Sequence, residues 1–151
     1  MVALIRLQQF MMCPKVLDES LPYGAGLEGI WADFEESELT HAVISVPFKA
    51  AIPYIEEFFR LKGVHTERLM GGDGCDVDEI EKRIARWTKL GGLIIQTIQF
   101  AESYELPAAR IMYMLGYLHD PEQNSQAEDR IHRDIRVTPH PVDIYLSLIH
   151  I

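Results

Sequence analysis

The sequence predicts an α+β fold of one domain, in which a mixed or antiparallel sheet packs on a three-helix layer. Runs rich in strand-forming residues lie in the N-terminal half, most clearly at 41–47. Apolar residues recur at helical spacing in the C-terminal half, from residue 76 to residue 118. The length of 151 residues suits one domain, since a chain of this size buries roughly two thirds of its unfolded surface.

The sheet is expected mainly from the first half of the chain. Residues 2–12 are predicted to form the first strand, which a Cys-Pro pair ends. The segment GIWADF, residues 29–34, is predicted to form the second strand, and the acidic EESE at 35–38 to form a solvated turn. The third predicted strand is HAVISVP at 41–47.

A helix and a fourth strand follow. The pattern predicts a helix over 53–62, which Gly63 suits as its C-terminal glycine. Its apolar residues stand at helical spacing: Ile52, Ile55, Phe58 and Phe59. The next residues, 64–70, are predicted to return as a strand.

The helical layer is expected from the second half. Its first helix begins at Asp76, whose spacing to Glu79 is that of a capping box, and ends at the glycine pair 91–92. Two more helices are predicted, over 93–104 and over 107–118 with a proline at its first position.

The end of the chain is predicted to hold a polar loop over 119–129 and a short strand over 131–137. The final residues, 142–151, have the composition of a last strand. The hexapeptide LSLIHI at 146–151 also resembles the translated adapter tail of a metagenomic contig. That resemblance implies a non-native tail and an uncultured prokaryote or its phage as the source.

The charge balance restricts the partners. The chain has 14 basic and 23 acidic side chains and a net charge of -9, which opposes non-specific binding to nucleic acid or to an anionic membrane. No apolar run approaches the ~20 residues of a membrane span. A cytoplasmic protein without a cofactor is predicted, with two reduced cysteines.

The stretch FAESYELPAARIMYMLGYL, residues 100–118, resembles a helix-turn-helix segment, and the likeness extends over 93–137 as a winged helix. The positions that carry it are Ala101, Leu106, Ile111 and Met114. The resemblance implies a DNA-binding regulator with Arg110 on bases and a basic wing on phosphates; a similar scaffold that contacts protein and plain core helices are the alternatives, of which core helices are preferred. The wing arginines are Arg130, Arg133 and Arg136.

A metal site is a further alternative. The loop GGDGCD precedes a predicted helix start, where backbone N–H groups can receive an anion. The carboxylates of Asp73, Asp76 and Asp78 suit Mg²⁺ or Ca²⁺, although helix capping and a flexible turn are the preferred explanation. With a site there, the chain is a small metal- or nucleotide-binding enzyme.

The favoured prediction is a non-enzymatic acidic protein that contacts another protein, such as a phage-type inhibitor of a host defence like CRISPR. It rests on size, net charge and the absence of a basic face. Nucleic acid and a homodimer remain open as partners. The predicted contact residues are Arg110, Tyr113, Glu35, Glu36 and Glu38.

Overall fold

The structure, a computed structural model, describes residues 2–72, 76–116, 122, 124–126 and 143–147. The described α-helices are α1 (Val2–Met12), α2 (Ala25–Ser37), α3 (Ile52–Leu61) and α4 (Val77–Leu90). The strands are β1 (His41–Val46), β2 (Thr66–Leu69), β3 (Gly92–Thr97), β4 (Ile111–Leu115) and β5 (Asp143–Ser147). Short 3-10 helices span Pro14–Val16, Lys49–Ala51 and Ile98–Ser103.

The five strands form one sheet in the order β2-β3-β1-β4-β5, and every pairing between them is parallel. The predicted mixed or antiparallel sheet is therefore wrong. The first-half location is wrong too, because β3, β4 and β5 lie in the second half. Parallel strands need crossover connections, and α3 and α4 supply two of them.

Helices and connections cover both faces of the sheet, which gives two separate cores. On one face α1, α2 and α3 pack on alternate residues of β1, β3 and β4, such as Ile44 and Ile95. On the other face α4 and the connection between β3 and β4 pack on residues such as Val43 and Ile94. The predicted single three-helix layer is thus replaced by layers on both sides of the sheet.

Two N-terminal strand predictions are wrong. Residues 2–12 form α1, because apolar and polar residues do not alternate along this segment and its Leu, Met and Gln residues favour a helix. Residues 29–34 lie inside α2. Its inward side chains recur at helical spacing: Leu27, Ile30, Trp31 and Phe34. The predicted turn at 35–38 therefore begins inside α2, which ends at Glu38 with a left-handed φ of 57°.

Both predicted helices after residue 92 are wrong as well. Residues 93–97 belong to β3 and continue into a 3-10 helix, and residues 111–115 form β4. All five residues of β4 are buried, as are the last five of β3. Strands buried on both faces have no period-2 pattern and read like buried helices.

Near the end of the chain, residues 122 and 124–126 have helical backbone where a polar loop was predicted. The predicted strand at 131–137 lies outside the described residues. The final strand prediction is confirmed over Asp143–Ser147, which pairs with β4.

The central predictions are confirmed. Strand β1, helix α3 and strand β2 lie within one residue or two of the expected bounds. Helix α4 begins as predicted, because the Oδ1 atom of Asp76 accepts a hydrogen bond from the N–H of Glu79 at 2.9 Å. It ends at Gly91, which has a φ of 76°.

Among the described residues, no helix is both long and apolar enough to cross a membrane.

Candidate functional site

At the carboxyl edge of the sheet, the connections that follow two neighbouring strands run in opposite directions along the strand order. Strand β1 leads through α3 to β2 on one side of the sheet, while its neighbour β4 leads to β5 on the other side. The two strand ends lie close together, since a Cβ built on Gly116 would be 3.3 Å from Cγ of Pro47. Open parallel α/β sheets bind ligands in the crevice at such a point.

Lys49 is a cation at this edge. It is exposed, and it stands in the 3-10 turn that leads from β1 into α3. Its Nζ donates a hydrogen bond to the carbonyl oxygen of Gly71, just after β2, at 2.5 Å. The ends of β1 and β2 are therefore joined through one ammonium group, which can also face a ligand.

An aromatic pair follows β3. The rings of Phe100 and Tyr104 are stacked with centroids 5.5 Å apart and planes 26° apart. The Oγ1 atom of Thr97 accepts a hydrogen bond from the N–H of Phe100 at 3.3 Å, which caps the 3-10 helix that carries the ring. Thr97 is itself buried, so this cap is shielded from water.

The cation and Phe100, one ring of the aromatic pair, converge at Gly71. A Cβ built on Gly71 would lie 3.8 Å from Cδ2 of Phe100 and 3.9 Å from Nζ of Lys49. We call the group formed by Lys49, Gly71, Phe100 and Tyr104 the carboxyl-edge cluster. Glycine leaves the space between the ammonium and the ring unfilled.

The electrostatics of this edge differ from those of the whole chain. Segments 47–51 and 70–72 contain one lysine and no acidic residue, whereas 97–105, which carries the aromatic pair, contains Glu102 and Glu105. Helix α3 begins here without an acidic residue in its first turn, and the positive end of a helix dipole favours anions. An anion is thus favoured next to Lys49 and the start of α3, although the chain carries a net charge of -9.

A buried polar pair lies beneath the edge. The Nε2 atom of Gln96 donates a hydrogen bond to Oγ of Ser45 at 3.1 Å, and the two residues are register partners in β3 and β1. Both side chains are almost fully buried. The pair fixes the relative position of the two strand ends that carry the cluster.

Arg110 and Tyr113 were predicted to be contact residues within a helix over 107–118, and that helix is wrong. Arg110 precedes β4, at the opposite, amino edge of the sheet, where its side chain is exposed. Tyr113 is 3% exposed within β4, and its hydroxyl donates a hydrogen bond to Oδ2 of Asp33 at 2.7 Å. Its place in the core follows from the strand, whose alternate residues pack on the helices of one face.

The predicted acidic group lies at the end of α2. Glu35 and Glu36 are exposed on the last turns of the helix, and Glu38 follows it. Glu38 and Arg110 line a common cleft of about 260 Å³ at the amino edge, together with His41 and Thr88. The structure therefore brings two predicted contact residues together and places Tyr113 elsewhere.

The predicted metal ligands do not form a described site. Asp76 caps α4, Asp78 is exposed in its first turn, and Asp73 lies outside the described residues. Over the part of the chain that the structure describes, no group of three or more His, Cys, Asp or Glu side chains can hold a metal ion. The wing arginines Arg130, Arg133 and Arg136 also lie outside it.

Sequence reasoning missed Lys49, Thr97, Phe100 and Tyr104. The last three fell inside a segment read as helix, so their place after a strand was not recognised. A run of apolar and β-branched residues after the glycine pair, GLIIQT, was the available indication of a buried parallel strand. Together with β1, a second buried parallel strand would have indicated the carboxyl ends of the strands as the candidate site.

No protein-family model matches the chain. No curated protein sequence matches it either. Solved structures do match. The chain is similar to the C-terminal part of the Fun30 ATPase domain, with a TM-score of 0.69 and 18% identity over 80% of this chain and 38% of that one.

It is also similar to the helicase domain of Hef from Pyrococcus furiosus, with a TM-score of 0.55 and 12% identity. That match covers 80% of this chain and 24% of the other. The chain thus spans well under half the length of these structures. At such identities the likeness shows the fold alone, a parallel α/β fold of the kind found in helicase and ATPase domains.

Proposed function

We propose that this chain is a lobe of a helicase-type ATPase and that it contacts nucleic acid through the carboxyl edge of its sheet. The observation that carries the proposal is the carboxyl-edge cluster, in which a lysine and an aromatic pair meet at the strand ends. The fold, similar to ATPase and helicase domains, supports the class of protein. This replaces the helix-turn-helix reading as the route to nucleic acid.

The positive charge near Lys49 allows contact with nucleic acid even though the chain as a whole is acidic. Nucleic-acid phosphates would be repelled by the exposed carboxylates Glu35, Glu36 and Glu38, which belong to the region before β1. Lys49 and the start of α3 instead offer a positive charge and a favourable helix dipole on the carboxyl edge. Binding through this edge is expected to be weak and dependent on salt, since few cations take part.

The proposal assigns the chain only a lobe of the motor. The sequence has no GxxxxGK[ST] loop, the backbone cradle in which motor ATPases of the P-loop class hold nucleotide phosphates. That loop would have to come from another lobe. We therefore expect no ATP hydrolysis by this chain alone, and hydrolysis that depends on Lys49 would contradict the assignment.

The test is binding of the full chain to labelled DNA of about 20 nucleotides, longer than common single-strand site sizes, followed by fluorescence anisotropy across a salt series. Lys49→Ala is expected to weaken binding and to lower the salt slope by about 0.7 for single strands, the loss of one phosphate contact. Lys89→Ala is the matched control, because Lys89 is exposed in the last turn of α4 at the amino edge. Equal loss in both variants, or no binding by the unmodified chain at low salt, would refute the proposal.

The arginines of the β4–β5 connection are a separate part of the same test. Arg130, Arg133 and Arg136 were predicted to contact phosphates, and this connection leaves β4 from the carboxyl edge. Replacing all three by alanine is expected to lower the salt slope further. An unchanged slope would restrict the phosphate contact to Lys49 and the start of α3.

Contact with another protein, as in a phage-type inhibitor of CRISPR, is a second candidate. One observation favours it: apolar side chains of α1, including Leu4, Leu7 and Phe10, are more than two fifths exposed. A CRISPR interference assay in cells that produce the chain tests it. Interference blocked by the chain and restored by reversing the charges of Glu35, Glu36 and Glu38 would support the inhibitor, and unaltered interference would exclude it.

A further inference from the structure

We infer that the Phe100–Tyr104 pair is a stacking platform for an unpaired nucleobase, with Lys49 on the neighbouring phosphate. The carboxyl edge would then prefer single-stranded nucleic acid to a duplex. The inference rests on the proposed nucleic-acid contact and deepens it by naming the form of the nucleic acid.

The platform is rigid before any ligand binds. Both rings pack on the second core, which includes Leu106 and Ile98, yet each remains partly exposed. The Thr97 cap fixes the turn that carries Phe100. A ring held in place loses little conformational entropy when a base stacks on it, so binding energy is retained.

The cation stands at the right place for a phosphate. Nζ of Lys49 and the ring of Phe100 both lie within 4 Å of one point, the Cβ position at Gly71. A nucleotide whose base meets the aromatic pair therefore has its backbone near an ammonium group. The carbonyl of Gly71 holds that ammonium in position, and the ammonium keeps two further donors for a phosphate.

Selectivity follows from stacking of a base on these partly exposed rings. In a duplex each base is stacked between its neighbours, so an aromatic ring on the protein can reach a base only in a single strand or at an end. Base–aromatic stacking tolerates every base. We therefore expect little sequence preference, and a preference for single strands that disappears when the aromatic face is removed.

The experiment compares an intact single strand with an otherwise identical strand that contains abasic sites. Both have the same phosphates, and only the first has bases to stack. The unmodified chain is expected to bind the intact strand about 5- to 150-fold more tightly, the range for a single base–aromatic stack. Tyr104→Leu keeps an apolar side chain on the core and is expected to reduce this difference, since only Phe100 is then left to stack, while Tyr104→Phe keeps it.

Two controls separate stacking from charge and from folding. Lys49→Ala is expected to weaken binding to both strands alike. Phe10→Ala removes an aromatic side chain on α1 that is 46% exposed and is expected to change neither affinity. Thermal unfolding of each variant shows whether Tyr104→Leu is folded when its affinity is measured.

Each outcome decides a different claim. Equal affinity of the unmodified chain for intact and abasic strands would overturn the stacking platform and leave the nucleic-acid contact standing. An equal loss for both strands in folded Tyr104→Leu would also overturn it, because the ring would then act on structure alone. Absence of binding to either strand would overturn the proposed function together with the platform.

Discussion

The two edges of the parallel sheet are built differently. At the amino edge, backbone groups hold the strands in place: the N–H of Gly92 donates to the carbonyl of Thr40 at 2.6 Å and that of Leu93 to His65 at 2.9 Å. At the carboxyl edge, side chains make the connections, as Lys49 does with the carbonyl of Gly71. The amino edge is thus suited to stability, and the carboxyl edge leaves donors for a ligand.

Side chains at the amino edge also hold the strands in place. The Nε1–H of Trp87 donates to the carbonyl of Gly92 at 3.0 Å, and a ring nitrogen of His41, Nε2, lies 3.0 Å from the carbonyl of Thr88. The rings of His41 and Trp87 meet edge to face, 5.1 Å apart. The last turn of α4 is therefore held against the starts of β1 and β3. Substitutions at the amino edge should thus change mainly stability, and substitutions at the carboxyl edge mainly binding.

The largest effect is expected from Gly92→Ala. Gly92 has a φ of 97°, and a Cβ there would lie 2.1 Å from the carbonyl oxygen of His65. Backbone strain and the clash are expected to lower the free energy of unfolding by about 3–5 kcal/mol, measured by urea denaturation. Gly29→Ala is the control, because Gly29 lies in α2 with nothing within 4 Å of its Cβ position, and it should stabilise the chain by about 0.5–1 kcal/mol. A Gly92→Ala chain of unchanged stability would show that the amino edge is not tightly packed.

A smaller loss is expected from Trp87→Phe. The substitution removes the hydrogen bond to the carbonyl of Gly92 and leaves unfilled space in the second core, where Trp87 is completely buried. The free energy of unfolding should fall by about 2 kcal/mol. Trp31→Phe offers a comparison at a half-buried tryptophan of α2, with an expected loss below about 1 kcal/mol. If the two losses were equal, Trp87 would not be a special support of the amino edge.

The buried pair under the carboxyl edge gives a still smaller effect. Gln96→Leu removes the donor to the Ser45 hydroxyl and should cost about 1–2 kcal/mol. Adding Ser45→Ala removes the other partner and should return most of that loss, because no polar group is then left unpaired. The double variant is measured by the same unfolding assay, and a double variant less stable than the single one would mean that Ser45 has a further role.

The elements that the sequence predicted correctly share one property, a contrast between polar and apolar faces. Helix α4 alternates charged residues with Ile80, Ile84 and Trp87 and is capped by Asp76. Both its apolar face and its first residue can therefore be recognised in the sequence. Strands β3 and β4 have no such contrast, because both faces are buried. For residues such as Ile94 and Met112, only the partner strands decide between helix and strand.

The candidate site was beyond sequence reasoning for a related reason. Lys49 and Phe100 are far apart in the chain and meet because β1 and β3 run side by side, with Val46 opposite Thr97. The spacing of residues along the sequence does not show which strands pair. Arg110, by contrast, was chosen as an exposed cation on a predicted helix. The residues after it form a strand instead, and Arg110 lies at the opposite edge of the sheet.

Arg110→Ala is therefore expected to have the smallest effect and to sharpen the comparison most directly. Its side chain is exposed at the amino edge, while its backbone N–H donates to the carbonyl of His41 at 3.0 Å, a bond that alanine keeps. The free energy of unfolding should change by less than about 0.5 kcal/mol, and DNA affinity should remain that of the unmodified chain. Lys49→Ala, which removes the same charge from the carboxyl edge, should weaken DNA binding. If Arg110→Ala instead abolished binding and Lys49→Ala did not, the nucleic-acid surface would lie at the amino edge, in the cleft that Arg110 shares with Glu38 and His41.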